Sequence, residues 1–214
     1  MPEFLDSWDY ALAYNEASGT QRYSTEDVEK FKSGSDLINF PNSNMLKEVL
    51  SRNGLQTGHD LTLTGGSDIS QYYLAFGYLS QDGVVEKNNY SRYSARLNMT
   101  SSLTPKLKVI SRFAGFSSLI KEPAVPGGKD VFRMTSGIIR NAVRYPSVYT
   151  TRLSDGYYGV GPESGGTPAA WLDSPSFYED PTWKVSGNVL VEYKPLPDLV
   201  LSAIGGYNFS YSET

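Results

Sequence analysis

The stretch Arg92-Tyr93-Ser94-Ala95-Arg96-Leu97-Asn98-Met99-Thr100 decides the fold. Tyr93, Ala95, Leu97 and Met99 alternate with Arg92, Ser94, Arg96, Asn98 and Thr100, the period of two of a strand with one apolar and one polar face. The pattern continues on both sides. Upstream, Leu55, Thr57, His59, Leu61 and Leu63 alternate with polar and small residues. After the turn Gly65-Gly66-Ser67-Asp68, the residues Tyr72, Leu74, Phe76 and Tyr78 share a face. Downstream, Leu107, Val109 and Phe113 alternate with Lys108, Ile110, Arg112 and Ala114. Val185, Gly187, Val189, Val191 and Tyr193 alternate with Lys184, Ser186, Asn188, Leu190 and Glu192 over about 183–193, and a sixth strand runs over about 199–211. The sequence therefore predicts an all-β chain of about six antiparallel strands.

Connection lengths are asymmetric. Residues 65–68, 103–106 and 194–198 are short turns, whereas the others are longer and one spans about 118–182. Short turns on one side and long loops on the other are the pattern of an outer-membrane β-barrel. Such a strand needs only ~9–11 residues of alternation to cross a bilayer. The same alternation also fits a soluble antiparallel β-protein. The two differ in which face meets solvent: in a barrel the apolar face points outward to lipid and the polar face inward to water. Tyr72, Phe76, Tyr78, Tyr90 and Tyr93 cluster near strand ends, where a barrel wears its aromatic girdles.

Residues 1–54 read as short helices and loops. Asp6 or Ser7 caps a helix to about Ala17, stopped by Gly19. Ser24 caps a second before Glu26 and Asp27, stopped by Gly34. Pro41-Asn42-Ser43 opens a third over about 44–52. Their weak amphipathicity predicts loop decoration rather than a helical core. The segmentation expected is 1–54 (loops and helices), 55–117 (two strand pairs), 118–182 (long loop with a helix near 130–145) and 183–214 (a hairpin).

The 214 residues contain no cysteine and one histidine, with 19 Lys+Arg against 23 Asp+Glu for a net charge of −4. Disulfide staples and thiolate metal sites are excluded, one imidazole cannot build a histidine metal centre, and no basic nucleic-acid footprint exists. His59 lies on the apolar register of its strand. The acid pairs Glu26-Asp27 and Glu179-Asp180 serve a helix start and a loop before Pro181, and Gly127-Gly128-Lys129-Asp130 lacks the setting of a phosphate loop. No catalytic residue, metal site or cofactor is expected, and the chain does not read as an enzyme. No apolar run reaches 18 residues, and residues 1–6 carry no secretory leader pattern.

The long connection holds the candidate contact residues. Arg133, Gly137, Arg140 and Arg144 fall on one helix face, at offsets of 4, 7 and 11 from Arg133, as either a solvated face or a docking face for a partner or anionic ligand. Tyr145, Tyr149, Tyr157, Tyr158 and Trp171 follow, residue types that stack on sugar rings and also fill ordinary loops.

Three runs together carry a family resemblance. They are His59-Asp60-Leu61-Thr62-Leu63-Thr64-Gly65-Gly66-Ser67-Asp68, Tyr72-Tyr73-Leu74-Ala75-Phe76-Gly77-Tyr78-Leu79-Ser80-Gln81-Asp82-Gly83-Val84-Val85 and Tyr90-Ser91-Arg92-Tyr93-Ser94-Ala95-Arg96-Leu97-Asn98. With Tyr10-Ala11, Asn15-Glu16-Ala17, Phe40-Pro41-Asn42-Ser43, Ala170-Trp171-Leu172 and Glu192-Tyr193-Lys194-Pro195-Leu196, the chain resembles the SusC/RagA family of TonB-linked outer-membrane transporters over nearly its whole length. The resemblance implies a transmembrane barrel of about 22 strands, of which this chain supplies about six as an internal fragment without the plug domain. It implies location in the bacterial outer membrane and uptake of oligosaccharides, or less often peptides. It also implies a SusD-like lipoprotein lid and energy from the TonB complex, which is contacted through the missing plug region. A soluble or surface-exposed β-sheet binding module and a siderophore-type TonB-dependent receptor are the alternatives.

Overall fold

A computed structural model describes residues 3–50, 53–124, 135–161 and 167–212. Its helices are α1 (Ser7–Ser18), α2 (Thr25–Ser33), α3 (Met45–Val49), α4 (Thr135–Val143) and α5 (Pro168–Asp173). Its strands are β1 (Gln56–Gly66), β2 (Ser70–Asp82), β3 (Asn89–Thr104), β4 (Leu107–Pro123), β5 (Phe177–Leu196) and β6 (Leu199–Ser212). The six strands form one sheet in the order β1-β2-β3-β4-β5-β6. The pairings β1–β2, β2–β3, β3–β4 and β5–β6 are antiparallel. Several strands are longer than their alternation suggests. β5 runs back through Pro181, a residue that argues against a strand because it lacks an N–H. Among the described residues its pairing with β6 runs from Thr182, opposite Ser212.

The chain divides into two compact units. The sheet unit comprises Gly54–Gly83, Asn89–Lys121 and Glu179–Thr214. Its register aligns the apolar positions in rows across the strands. Leu61 faces Phe76, which faces Ala95; Leu63 faces Leu74, which faces Leu97, which faces Phe113. In the last hairpin Trp183 faces Tyr211, Val185 faces Phe209 and Val191 faces Ala203. Leu61, Leu63, Phe76, Tyr93, Trp183, Phe209 and Tyr211 are all exposed. Apart from Pro123 at the last position of β4, none of the described buried apolar side chains lies on a strand. A two-sheet sandwich would bury one face of every strand. This sheet is open and leaves its apolar face uncovered, as a sector of a barrel wall does.

Aromatic rows bound that face. His59, Tyr78 and Tyr93 are register neighbours. Their rings stack in sequence, His59 against Tyr78 at 6.3 Å between centroids and Tyr78 against Tyr93 at 4.9 Å. On β5, Trp183 and Tyr193 share the apolar face ten residues apart. Ten residues of strand span about 33 Å. At the ~35–45° tilt of barrel strands this rises about 25 Å, the height of an outer-membrane apolar band.

The helical unit comprises Met1–Asn53, Val84–Asn88 and Glu122–Tyr178. Here the sequence-based expectation of loop decoration is overturned, because the helices carry a core. Met45, Leu46 and Val49 of α3 pack with Val85, Ile138, Ala142, Ala169, Trp171 and Leu172. A second cluster joins Ala11, Phe31 and Val148, flanked by Trp8, Tyr23, Phe40 and Tyr149. The packing partners come from remote segments, so the helices at 7–49 do not reveal this core by their own pattern. The expected caps are present for α2, where the Ser24 hydroxyl accepts from the Asp27 N–H at 3.1 Å and the Asp27 carboxylate accepts from the Ser24 N–H at 2.9 Å. Gly19 and Gly34 end α1 and α2 in the left-handed conformation. For α1 the Asp6 side chain makes no cap bond. Asn42 substitutes: its carbonyl oxygen accepts from the Ser7 N–H at 3.0 Å, while its amide donates to Asp6 at 2.8 Å. The helix expected near 130–145 is α4 over Thr135–Val143, and residues 130–134 lie outside the described residues.

Candidate functional site

The candidate residues fall in two regions, one in each unit. In the helical unit the region 145–173 folds around its aromatic residues. Tyr145 and Trp171 are each only 8% exposed and belong to the core with α3 and α4. The Tyr145 hydroxyl donates to the Thr150 carbonyl at 2.9 Å. Burial, reinforced by the Glu48 carboxylate and Tyr149, pushes its phenol up to about 12. Tyr149 is half-buried and meets the Tyr145 ring edge-on at 6.0 Å. Tyr158 packs against the same core. Tyr157 points outward at 71% exposure, and Arg140 and Arg144 are exposed at the end of α4. Arg133 lies outside the described residues. Of the eight expected contact residues, four aromatics thus converge on one core, and Tyr157, Arg140 and Arg144 remain at the surface.

A cluster invisible in the sequence holds this region together. Arg152 bonds the Glu48 carboxylate through Nε at 3.1 Å and the Asp173 carboxylate through Nη2 at 2.7 Å. Tyr158 donates its hydroxyl to Asp173 at 2.6 Å, and the Arg152 guanidinium lies 5.2 Å from the centre of the Tyr158 ring. Lys87 extends the network by donating to the Leu172 and Ser174 carbonyls at the end of α5. Positions 48, 87, 152 and 173 are too far apart in the chain for any spacing rule to group them.

The cluster titrates. The Tyr158 hydroxyl and the Arg152 guanidinium hold the Asp173 carboxyl below the usual carboxylate range. An unfolded aspartate titrates near ~3.9. A depressed folded value means the stabilisation is complete above that pH and is lost as pH falls through the folded value. The helical unit is therefore expected to lose part of its thermal stability on acidification below about pH 4, and Asp173→Asn should flatten that limb. Melting curves of both proteins across the acid range check it, the difference between them isolating Asp173 from Asp27 and Asp36, whose carboxyls are also lowered.

In the sheet unit the polar residues line two cavities. One cavity of about 750 Å³ is lined by Asp60, Tyr73, Arg92, Arg96, Phe116 and Lys184, among others. A second, of about 470 Å³, includes Arg96, Asn98, Arg112, Asn188 and Asn208. The Arg92 guanidinium lies 4.2 Å from the centre of the Phe116 ring. Among the described residues no cluster of His, Cys, Asp and Glu is arranged to hold a metal ion.

No family model matches the chain. Over 105 residues it is 32% identical to a TonB-dependent receptor of Formosa agariphila, a match covering 47% of this chain and 10% of that protein. Over 182 residues it is 28% identical to the TonB-dependent receptor SusC of Bacteroides thetaiotaomicron, covering 75% of this chain and 18% of that protein. Two solved structures share the fold. The RagAB peptide importer in its closed-closed state superposes with a TM-score of 0.67 at 18% identity, covering 97% of this chain and 26% of that one. The RagAB peptide transporter superposes with a TM-score of 0.66 at 19% identity, covering 96% and 25%. The chain thus spans between a tenth and about a quarter of the length of the proteins it matches. In sequence and fold it is similar to TonB-linked outer-membrane transporters of the SusC/RagA type, and its relatives are receptors and importers.

Proposed function

We propose that these residues form part of the barrel wall and extracellular loops of a TonB-dependent outer-membrane importer of oligosaccharides or peptides. In this reading a SusD-like surface lipoprotein closes over the loops, and the TonB complex supplies energy through a plug region. The observation that carries it is the two-faced sheet. One face is apolar, exposed and crossed by the His59–Tyr78–Tyr93 row; the other is polar and carries Arg92, Arg96, Arg112 and Lys184. A polar face lining water and an apolar face against lipid fit a conduit. The long connections fall on the side opposite the three short turns, which suits extracellular loops, and the helical unit gives them a rigid core. Relatives that are TonB-dependent receptors and importers support the same reading.

Disruption of the gene in its natural reading frame tests it. Growth on oligosaccharides or peptides as sole carbon source should fail for at least one cargo class, and deletion of TonB should reproduce the defect. A surface lipoprotein should co-purify with the protein from detergent-solubilised outer membranes. Recovery of the protein in the aqueous fraction without detergent would overturn the proposal.

A further inference from the structure

Beside the paired charges of the sheet, four cations on its polar face stand without carboxylate partners among the described residues. Lys108 reaches Glu192 at 3.9 Å, and Lys121 reaches Glu179 at 3.2 Å. Lys106 donates to the Pro195 carbonyl at 3.1 Å. Arg96, Arg112 and Lys184 are exposed on the polar face, and their side chains make no hydrogen bond or ion pair to the described residues. Arg92 rests on the Phe116 ring, and its Nε is buried without a hydrogen-bond partner.

The register makes this grouping costly. Asn98 faces Arg112 and Arg96 faces Ala114, so the two guanidiniums are diagonal neighbours on adjacent strands. Like charges at such positions repel. Asp60 is the only carboxylate among the residues lining either cavity. The whole chain is net negative at −4, so the cations concentrate on this face against the overall balance. A cleft lined by one sign of charge focuses its field and raises the local concentration of the opposite charge.

We propose that this face is an anion-recognising track, and that the cargo passing it carries carboxylates. The proposal rests on the importer reading and narrows its substrate class. The chemistry is specific. Arg96 and Arg112 present planar forks that match carboxylates bidentately, and Lys184 adds a point charge. Asn98, Asn188 and Asn208 supply neutral amides beside them, suited to hydroxyl or peptide groups between the charges.

Protein extracted from outer membranes in detergent is titrated with trigalacturonate and with triglutamate. Each probe is paired with its uncharged counterpart, methyl-esterified trigalacturonate or triglutamine. At least one acidic probe is expected to bind more tightly than its neutral counterpart, with affinity falling as salt rises. The double variant Arg96→Gln, Arg112→Gln should weaken acidic binding on the order of tenfold or more and weaken neutral binding by clearly less, so that the acid preference shrinks. Lys184→Gln provides a second variant, and resistance of the barrel to unfolding in SDS without heating verifies that each variant folds. Equal binding of acidic and neutral probes, or acidic binding unaltered in folded variants, overturns the track. Outer-membrane fractionation separates the two readings: membrane-located protein without acid preference sinks the track alone, and protein absent from the membrane sinks the importer.

Discussion

Leu97→Arg is expected to abolish accumulation of the protein in the outer membrane, whereas Asn98→Asp, one residue along the same strand and opposite Arg112, is expected to be tolerated. Leu97 sits between Leu74 and Phe113 in a row of the apolar face, inside the band bounded by the His59–Tyr78–Tyr93 row. A guanidinium there would face hydrocarbon. An arginine on the lipid face near the bilayer midplane costs about 2–4 kcal/mol and leaves its hydrogen-bond donors without partners. That is a large part of the roughly 5–15 kcal/mol that separates folded from unfolded chains. Asn98 points to the other face by the strict alternation of a strand, where an added charge meets water. The measurement is the amount of each variant in the outer-membrane fraction and its migration before and after heating in SDS. Equal loss of both would show that the face assignment is wrong. Retention of both would show that the apolar face does not meet lipid.

Trp171→Ala is expected to unfold the helical unit while leaving the sheet intact. Trp171 lies in α5, which starts from the Thr167 hydroxyl accepting the Ala170 N–H at 3.3 Å. Its ring packs in the cluster of Met45, Leu46, Val49, Ile138 and Leu172. Truncating a buried tryptophan to alanine costs roughly 3–5 kcal/mol, through lost transfer energy and the cavity left behind. The unit is assembled from three segments held by two small clusters, and it has little other apolar burial to offset the loss. Limited proteolysis of intact cells should cut the variant within 135–178 at protease concentrations that spare the parent, while the SDS-resistant barrel persists. Tyr157→Ala is the contrast. Its side chain is 71% exposed, so it should leave proteolysis unchanged and affect only binding of cargo or lipoprotein. A Trp171→Ala protein that resists protease but loses cargo binding would mean the ring acts as a contact surface rather than as packing.

The two units differ in how far the sequence discloses them. In the sheet, each strand carries its own face assignment. Side chains alternate with a period of two, so Tyr93, Ala95, Leu97 and Met99 declare a common face before any partner is known. The turns Gly65-Gly66-Ser67-Asp68 and Pro195-Leu196-Pro197-Asp198 declare where the chain reverses. The register then follows, because a slip of one residue would turn every apolar side chain toward the polar side. Strand ends are less legible, since β5 extends back through Pro181 against that residue's local signal.

The helical unit was legible in its caps and not in its core. Ser24, Asp27, Gly19 and Gly34 act on the backbone within four residues and can be read locally. Which side chains are buried depends on partners more than a hundred residues away, as when Ser43 donates to the Tyr149 carbonyl at 2.8 Å or Arg152 bridges Glu48 and Asp173. For the same reason the sequence leaves Tyr145 and Trp171 open between ligand stacking and loop filling, and in the fold both are buried in the cluster with α3 and α4.

The sequence by itself determined the strands, their faces, the turns and the helix caps, because those depend on steric and hydrogen-bonding preferences over a few residues. It also placed Arg92 and Arg96 on one polar face. Only the tertiary structure decided that Arg112 and Lys184 join them on that face, that carboxylate partners are missing among the described residues, and that the loops own a core. Those outcomes depend on which distant segments meet, and that is set by the global burial of apolar surface rather than by any local pattern.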